Sequence, residues 1–316
     1  MDLTYLLWLQ DFRNATDNIL TPFFECVSDF AITFVMVIPI VIYWCINKRA
    51  GLYIIVSAGI SRVINGLVKL TFCIYRPWIR DPRIIPYGDS IKTAGGYSFP
   101  SGHTMNSVPV YGGLVALYGK KSAAVTWLCA FMIVMTALAR NYLGVHTPQD
   151  VVVGIILGLF SVYITSKIFK YLEAKPEKEN LVLLIGLIFC VLSYLYMAFK
   201  PYPIDYVDGK ILVKPSSMIG SSAGEIGVML GIIAGRYVEK RFINFSVMKL
   251  NFKGIIFALI GSVIFCLMYT HLGGFLKAAC GSLWGRVIRN FLMIFFVLAV
   301  WPFIFELPLF NKKTGA

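Results

Sequence analysis

Charge is scarce in this sequence. Of its 316 residues, 14% are Asp, Glu, Lys or Arg, whereas 58% are hydrophobic. An ordinary soluble domain carries charge on about a quarter of its residues, so the composition excludes that class. Histidine is scarcer still, with three in the whole chain. A function that needs imidazole must therefore draw on very few positions.

The patterns that mark metal sites, disulfide frameworks and secretion are also missing. The seven cysteines are scattered, an odd number without paired spacing. No HExxH or CxxC cluster occurs, so we expect no metal and no cofactor. No basic region opens the chain, which argues against a cleavable signal peptide. No stretch combines basic and aromatic residues as a nucleic-acid module would, and no nucleic-acid partner is expected.

Long apolar runs are what the sequence has in abundance. Each can cross a hydrocarbon core of ~30 Å, and in lipid the backbone groups of a segment must bond within it. We therefore predict an all-α, polytopic membrane bundle of about nine transmembrane helices. The predicted spans are 30–46, 51–74, 104–119, 122–139, 149–170, 181–199, 218–236, 254–272 and 284–305.

Basic residues indicate how the bundle is oriented. Fifteen of the 29 Lys and Arg residues fall in loops on one side of the nine spans, and the positive-inside rule places that side in the cytoplasm. The C-terminus is then cytoplasmic and the N-terminus outside. These residues are Lys48, Arg49, Lys120, Lys121, Lys167, Lys170, Lys175, Lys178, Arg236, Lys240, Arg241, Lys249, Lys253, Lys312 and Lys313.

The chain divides into four parts on this interpretation. We predict that residues 1–29 form an extracytoplasmic or interfacial segment, 30–170 a membrane core, 171–180 a cytoplasmic linker, and 181–316 transmembrane helices without an assigned role. We expect an integral protein of the bacterial cytoplasmic membrane, or of the endoplasmic reticulum membrane in a eukaryote. Membrane lipids are its expected surroundings.

Two cations mark the outer end of the second predicted span. Lys69 and Arg76 are seven residues apart, so on one continuous helix they would share a face, about 10 Å apart along the axis. Pro77 is then predicted to end that helix. Arginine offers a planar fork to phosphate and lysine a point charge. The alternative is a pair of cations that snorkel to the membrane interface.

A second polar segment, 97–104, precedes the third predicted span. Gly102 allows the backbone to approach a ligand closely, and the first N–H groups of the following helix can bind an anion. Ser101 adds a hydroxyl donor, and His103 a group that titrates near pH ~6.5 when unperturbed. The alternative is an ordinary loop followed by a capped helix.

The third segment lies between the fourth and fifth predicted spans and begins at Arg140. Thr147 as N-cap, Pro148 at the first helical position and Asp150 three residues after the cap predict a capping box. The Asp150 carboxylate would then reach back to one ring nitrogen of His146 and make the other nitrogen a better nucleophile. A purely structural cap explains Asp150 but neither His146 nor Arg140.

Together, the three segments resemble the signature of the type 2 phosphatidic acid phosphatase (PAP2) superfamily. Its motifs K-x6-RP, PSGH and SR-x5-H-x3-D correspond here to Lys69-x6-Arg76-Pro77, Pro100-Ser101-Gly102-His103 and Ala139-Arg140-x5-His146-x3-Asp150. Ala139 replaces the serine of the third motif, which weakens one ancillary hydrogen bond. The resemblance covers about residues 50–170.

The resemblance implies a metal-independent phosphatase with a phosphohistidine intermediate. His146 attacks phosphorus, Asp150 orients His146, and His103 protonates the departing oxygen. The implied phosphate-binding groups are Lys69, Arg76, Ser101, the Gly102 backbone and Arg140. The positive-inside pattern places all three segments on the extracytoplasmic face. His271 lies apart from them and is interpreted as structural.

The substrate stays open between several classes. An outer, membrane-level site favours a lipid phosphate or pyrophosphate, but nine spans with an outer N-terminus also resemble glucose-6-phosphatase, which acts on a sugar phosphate. Arg80, Arg83 and Lys92 in the loop 78–99 could contact either head group. A lipid phosphotransferase and a non-catalytic phospholipid transporter are further alternatives. The oligomeric state is not predicted.

Two charges are predicted to lie deep in the membrane. Arg62 falls near the middle of the second span and Glu225 near the middle of the seventh. Charges at that depth are costly and usually paired. We expect them to bridge and hold the C-terminal spans on the catalytic core; the alternative is that each faces its own wet cavity.

Overall fold

Helices make up almost all of the regular structure in the described part of this chain. The computed structural model describes residues 2–91, 94–207, 209–248 and 251–307. The expectations that concern Lys92, Lys249, Lys312 and Lys313 lie outside the described residues.

The described elements confirm the all-α prediction, apart from one short antiparallel hairpin. That hairpin pairs β1 (Tyr206–Val207) with β2 (Lys210–Ile211). The helices are α1 (Asp2–Ala15), α2 (Thr21–Thr33), α3 (Val37–Val41), α4 (Lys48–Phe72), α5 (Pro77–Arg80), α6 (Gly102–Tyr118), α7 (Ala123–Tyr142), α8 (Pro148–Ala174), α9 (Glu179–Phe199), α10 (Pro215–Val238), α11 (Phe252–Leu267), α12 (Gly273–Phe295) and α13 (Trp301–Glu306). Short π-helical segments continue four of them, at Ile42–Ile46, Glu239–Ile243, Met268–Leu272 and Phe296–Val300.

The number of membrane-crossing helices differs from the nine predicted. Within the described residues, six helical runs are long and apolar enough to cross, or seven if Thr21–Thr33 and Val37–Ile46, bent by 45°, form one span. Helix α6 has 17 residues and falls just short of that length. The last two predicted spans belong to one continuous run of 55 residues, Phe252–Glu306.

This last run folds back on itself. Gly281 breaks α12 with a left-handed φ of 78°, a conformation that glycine adopts without steric penalty. The backbone of Gly261 in α11 lies against the side chain of Trp301 in α13. The two ends of the run are therefore neighbours, as two separate spans would be.

Helix α4 lies at the centre of the bundle and carries Lys69 near its C-terminal end. It packs against α6, α8 and α10, and α10 packs closely along α12. Gly227 of α10 makes that second contact possible, because a Cβ there would come within 2.3 Å of the Val287 carbonyl oxygen. Small residues commonly allow such close helix contacts in membranes.

The predicted ion pair between the two halves of the chain is confirmed. Arg62 Nη1 of α4 donates to Glu225 Oε2 of α10 at 2.8 Å. Both side chains are mostly buried, with 17% and 29% of their surface exposed. The pair therefore joins the core to the C-terminal helices, and the alternative of two separate wet cavities is wrong.

Breaking this pair is expected to loosen the bundle. Arg62→Ala leaves a largely buried carboxylate without its partner, which should cost about 1–3 kcal/mol of stability after allowance for partial exposure. The unfolding midpoint in detergent measures this loss. The matched control is Arg83→Ala, which breaks an exposed pair with Asp81. The hypothesis fails if the charge-swapped variant R62E/E225R is no more stable, and no better expressed, than either single variant.

Candidate active site

The turn between α7 and α8 places the central histidine and its carboxylate. Thr147 caps α8, Pro148 occupies the first turn, and the predicted capping box is present. The Thr147 backbone N–H donates to Asp150 Oδ2 at 2.8 Å. The same oxygen lies 3.2 Å from Nδ1 of His146. The cap therefore holds the carboxylate against the imidazole, as the sequence predicts.

The partners of His146 fix which ring nitrogen carries the proton. Arg76 Nη1 lies 2.9 Å from Nε2, and a guanidinium can only donate. Nε2 therefore carries the lone pair, and Nδ1–H donates to Asp150. This is the tautomer that a nucleophilic Nε2 requires.

The surroundings of His146 favour its neutral form. The residue is 1% exposed. Burial first, and then the positive charges of Arg76, Arg140 and Lys69, hold the pKa of His146 well below its usual value. A cationic, buried environment of this kind disfavours a second proton on the ring.

Arg76 reaches the site by a route that the sequence did not predict. Helix α4 ends at Phe72, and Cys73 takes a left-handed φ of 50°, so the expectation that Lys69 and Arg76 share one helical face is wrong. Pro77 starts α5 instead of ending α4. Arg76 is anchored by the carbonyls of Gly95, Gly96 and Val145, at 2.9–3.2 Å.

Lys69 holds the loop that precedes α6. Its Nζ donates to the carbonyls of Tyr97, Ser98 and Pro100 at 3.1, 3.2 and 2.9 Å. These three bonds use all three ammonium hydrogens. Lys69, which was predicted to bind phosphate, therefore bonds to the loop in this structure. Its positive charge still acts on His103 and His146.

Arg140 and His103 carry buried nitrogen atoms that have no hydrogen-bond partner within the described residues. Arg140 is fully buried and donates through Nη1 to Ser28 Oγ at 2.5 Å. Among the described residues, its Nε and Nη2 and the Nε2 of His103 have no hydrogen-bond partner. His103 lies within electrostatic reach of Arg140, His146, Arg76 and Lys69. Buried donors are rarely left unsatisfied, so this cluster has the character of an anion site.

The start of α6 adds backbone donors to the same region. Ser101 is the N-cap, and its Oγ accepts from the Thr104 hydroxyl at 3.0 Å. A Cβ on Gly102 would meet only Asn65 Oδ1, at 3.9 Å. The first turn of α6 is therefore open at its amino end, where helices bind anions.

Two site residues escaped the sequence analysis, Ser98 and Ser28. Ser98 Oγ donates to Asp150 Oδ2 at 2.5 Å and is the third hydrogen-bond partner of that oxygen, beside His146 and the Thr147 N–H. Its place two residues before Pro100 is the only sequence signal for it. Ser28 lies in α2, and positions 21–29 of that helix belong to the predicted segment 1–29. No pattern in the sequence connects position 28 with position 140.

Removing the Ser28 hydroxyl is expected to weaken substrate binding. Ser28→Ala leaves a third donor of Arg140 without an acceptor, and a hydrogen bond to a charged group is worth about 1.5–3 kcal/mol, so kcat/KM should fall at least tenfold. Ser28→Thr keeps the hydroxyl and should recover activity. Ser161→Ala is the control, because the hydroxyl of the equally buried Ser161 donates to the Leu157 carbonyl of its own helix. Unchanged inhibition of Ser28→Ala by inorganic phosphate would contradict the role.

The loop cations and His271 have other surroundings. Arg80 pairs with Asp2 of α1, and Arg83 with Asp81, at 2.9 and 2.7 Å. His271 lies exposed in the segment after α11. Within the part of the chain that the structure describes, no group of three or more His, Cys, Asp or Glu side chains could hold a metal ion.

Two family profiles match this chain. One, described as the PAP2 superfamily, matches residues 50–174. The other, described as the PAP2 superfamily phosphatase transmembrane extension, matches residues 223–312. The first match contains all the site residues described above except Ser28, and the second covers most of the C-terminal helices.

Several curated proteins are similar over part of their length. Phosphatidylglycerophosphatase B of Bacillus subtilis is 28% identical over 42% of this chain and 64% of its own. Bacitracin transport permease protein BcrC of Bacillus licheniformis is 24% identical over 46% of this chain and 69% of its own. Lipid A 4'-phosphatase of Bacteroides thetaiotaomicron is 32% identical over 28% of this chain and 39% of its own. The chain thus spans less than two thirds of the first and third of these relatives. No solved structure matches it.

Proposed function

Because the chain belongs to the PAP2 superfamily of membrane phosphatases, we propose that it hydrolyses a phosphomonoester or pyrophosphate of a lipid through a phosphohistidine intermediate. The observation that carries the proposal is the set of buried nitrogens on Arg140 and His103 that lack a hydrogen-bond partner among the described residues, together with the oriented ring of His146. A phosphoryl group supplies the anionic oxygens that such donors need.

The proposed reaction assigns one step to each of these side chains. Nε2 of His146 attacks phosphorus, a P–N bond forms, and the P–O bond to the lipid breaks. His103, in its protonated form, gives one proton to the departing oxygen and becomes neutral. Water, from which His103 takes a proton, then attacks phosphorus and releases phosphate and His146. The guanidinium groups of Arg76 and Arg140 stabilise the charge on the phosphoryl oxygens, which is the main contribution of protein to phosphoryl transfer.

Metal independence and the extracytoplasmic position are parts of the same proposal. The positive charges around His146 belong to Arg76, Arg140 and Lys69; they repel a metal ion and take over its usual role of neutralising phosphate charge. The basic loops that precede α4 and follow α8 lie at the other end of the bundle from Lys69. The positive-inside rule assigns that other end to the cytoplasm.

A lipid substrate is favoured over the alternatives. Two of the relatives are named for lipid phosphates, and the site lies at the ends of apolar helices. The relative named as a transport permease makes a phospholipid transporter the second candidate. A transporter has no need of the carboxylate that orients His146, whereas a nucleophile does.

A phosphate-release screen tests the proposal. Purified protein, treated with EDTA, is given phosphatidylglycerol phosphate, phosphatidic acid, an isoprenyl pyrophosphate and glucose 6-phosphate in parallel. We expect phosphate release from at least one lipid and little from the sugar. A preference for the sugar contradicts the lipid substrate, and a requirement for added metal contradicts metal independence. Transfer to an added lipid or sugar acceptor instead of water identifies a phosphotransferase.

The titration of His146 gives a separate expected result. A pKa held below the usual ~6.5 means that the ring loses its proton at lower pH than a free histidine and stays neutral through the physiological range. With three histidines in the chain, NMR of protein labelled at histidine can follow each ring, and His146→Gln and His271→Gln assign the signals. Half-protonation of His146 at or above pH ~6.5 contradicts this expectation.

A further inference from the structure

A large apolar crevice lies between the catalytic core and the C-terminal helices. Its volume is ≈ 950 Å³, and α4, α8, α9 and α10 border it. On α4 it is lined by a stripe of aliphatic residues with helical spacing: Leu52, Val56, Ile60, Ile64 and Leu67. A surface of this kind, next to the hydrocarbon core, suits a hydrocarbon chain and not a polar ligand.

The crevice is separate from the phosphate site. Lys69 follows Leu67 by two residues on α4, which turns it about 200° around the helix axis. The phosphate site and the crevice therefore lie on opposite sides of α4. A substrate tail that descends from His146 along the other face of α4 would not enter this crevice directly.

The mouth of the crevice is charged and lies at the far end of the bundle. Lys48 and Arg49, which line it, open α4 about 30 Å from Lys69 along the axis. Arg236 and Lys240 stand opposite. We refer to these four residues as the basic rim.

Carboxylates neutralise the basic rim only in part. Arg49 pairs with Glu173 at 2.8 Å. Glu179 bonds both Arg236 and Lys240, and the fully buried Glu239 pairs with Lys48 and Arg236. Four cations therefore face three carboxylates. Around them, α8 and the linker add Lys167, Lys170, Lys175 and Lys178 against Glu177.

The walls that α8 and α9 form match one leaflet of a bilayer in height, whereas the lining of α4 continues to Leu67, about 28 Å from Lys48. The lining residues of α8 extend from Glu173 back to Phe160, and those of α9 from Glu179 to Phe189. At 1.5 Å per residue these walls rise about 15–20 Å from the basic rim. Half of a hydrocarbon core of ~30 Å has the same height.

We propose that this crevice binds one anionic glycerophospholipid, with its phosphate at the basic rim and its acyl chains along the stripe of α4. The ligand belongs to the leaflet opposite the phosphate site and is not the substrate, so the proposal goes beyond the phosphatase function. Its acyl chains fill the junction between α8 and α9. Basic pockets between membrane helices are known to select anionic head groups.

Native mass spectrometry of the full chain tests the proposal. Delipidated protein in detergent is titrated with phosphatidylglycerol, phosphatidylethanolamine and phosphatidylcholine. We expect one phosphatidylglycerol to bind more tightly than either other lipid. Arg49→Gln and Lys240→Gln should each weaken that binding about fivefold without changing the binding of phosphatidylcholine. Leu183→Trp, which fills the crevice from α9, should weaken all three.

The control is Lys120→Gln, which removes an exposed cation predicted on the same side but outside the crevice. Elution as one symmetric peak shows that each variant is folded. Equal affinities in the wild type and all variants mean only nonspecific lipid around the bundle and overturn the proposal. A preference for either neutral lipid overturns the assignment of the head group, and a dimer that excludes lipid overturns the assignment of the occupant.

Discussion

Replacing His146 with alanine is expected to reduce phosphate release by at least three orders of magnitude. Removal of the nucleophile from comparable catalytic groups costs about 10⁶-fold in kcat. The remaining donors on Arg76 and Arg140 can bind a phosphoryl group but offer nothing to attack phosphorus. Substrate binding should therefore survive, while covalent labelling of the protein by a ³²P-labelled lipid phosphate disappears.

The loss should be specific to this ring. Arg76 keeps its bond to the Val145 carbonyl when the ring is removed, so we expect the pocket to remain folded. Added imidazole should restore part of the turnover in His146→Ala, because it can enter the space of the lost side chain. His271→Gln is the matched control, since His271 is exposed and outside the site. Turnover of His146→Ala within tenfold of the wild type would rule out the phosphohistidine mechanism.

Replacing Asp150 with asparagine is expected to have the second largest effect, a loss of about 10³–10⁴-fold in kcat, as for other carboxylates that orient a catalytic histidine. Its Oδ2 accepts from the His146 ring, the Ser98 hydroxyl and the Thr147 backbone. An amide carries no charge to stabilise the positive ring that the proposed phosphohistidine mechanism requires. It can also present its N–H₂ group to Nδ1, which favours the tautomer with the proton on Nε2.

A cap variant separates this effect from a structural one. Thr147→Ala removes the hydroxyl that accepts from the Asp150 backbone N–H and leaves the carboxylate in place. It should cost about 1 kcal/mol of stability, as loss of an N-cap usually does, and little turnover. If Asp150→Asn and Thr147→Ala lose the same stability and the same turnover, Asp150 is only a cap.

The sequence predicted best the parts of the site that depend on local chain geometry. The capping box at Thr147 and Asp150 is fixed by four consecutive residues, and with it the contact between Asp150 and His146. The predicted pair of Arg62 and Glu225 was found because two isolated charges in apolar spans have few possible partners. Residues nearby in sequence left few alternatives for the capping box, and the high free-energy cost of an unpaired charge left few alternatives for the ion pair.

Predictions that assumed continuous helices were less successful. Periodicity indicated that α4 continues to Arg76, but Cys73 ends it with a left-handed turn. The resulting loop lets Arg76 approach His146 from the side, while Lys69 bonds to carbonyls of the segment before α6. Hydropathy also predicted nine spans, because it measures the length of apolar runs and not where a helix bends. In the structure, two of these spans belong to one continuous helical run and α6 is too short to count as a span.

By itself the sequence determined the all-helical membrane bundle, the three polar segments and their chemical character. Composition and local capping decide these features, since a backbone in lipid must satisfy its own hydrogen bonds. Only the tertiary structure decided that Ser28 of α2 accepts from Arg140, that Lys69 supports a loop, and that a crevice with a basic rim lies on the opposite side of α4. These features depend on how separate helices rotate and pack against one another, and that packing sums many weak contacts between residues distant along the chain.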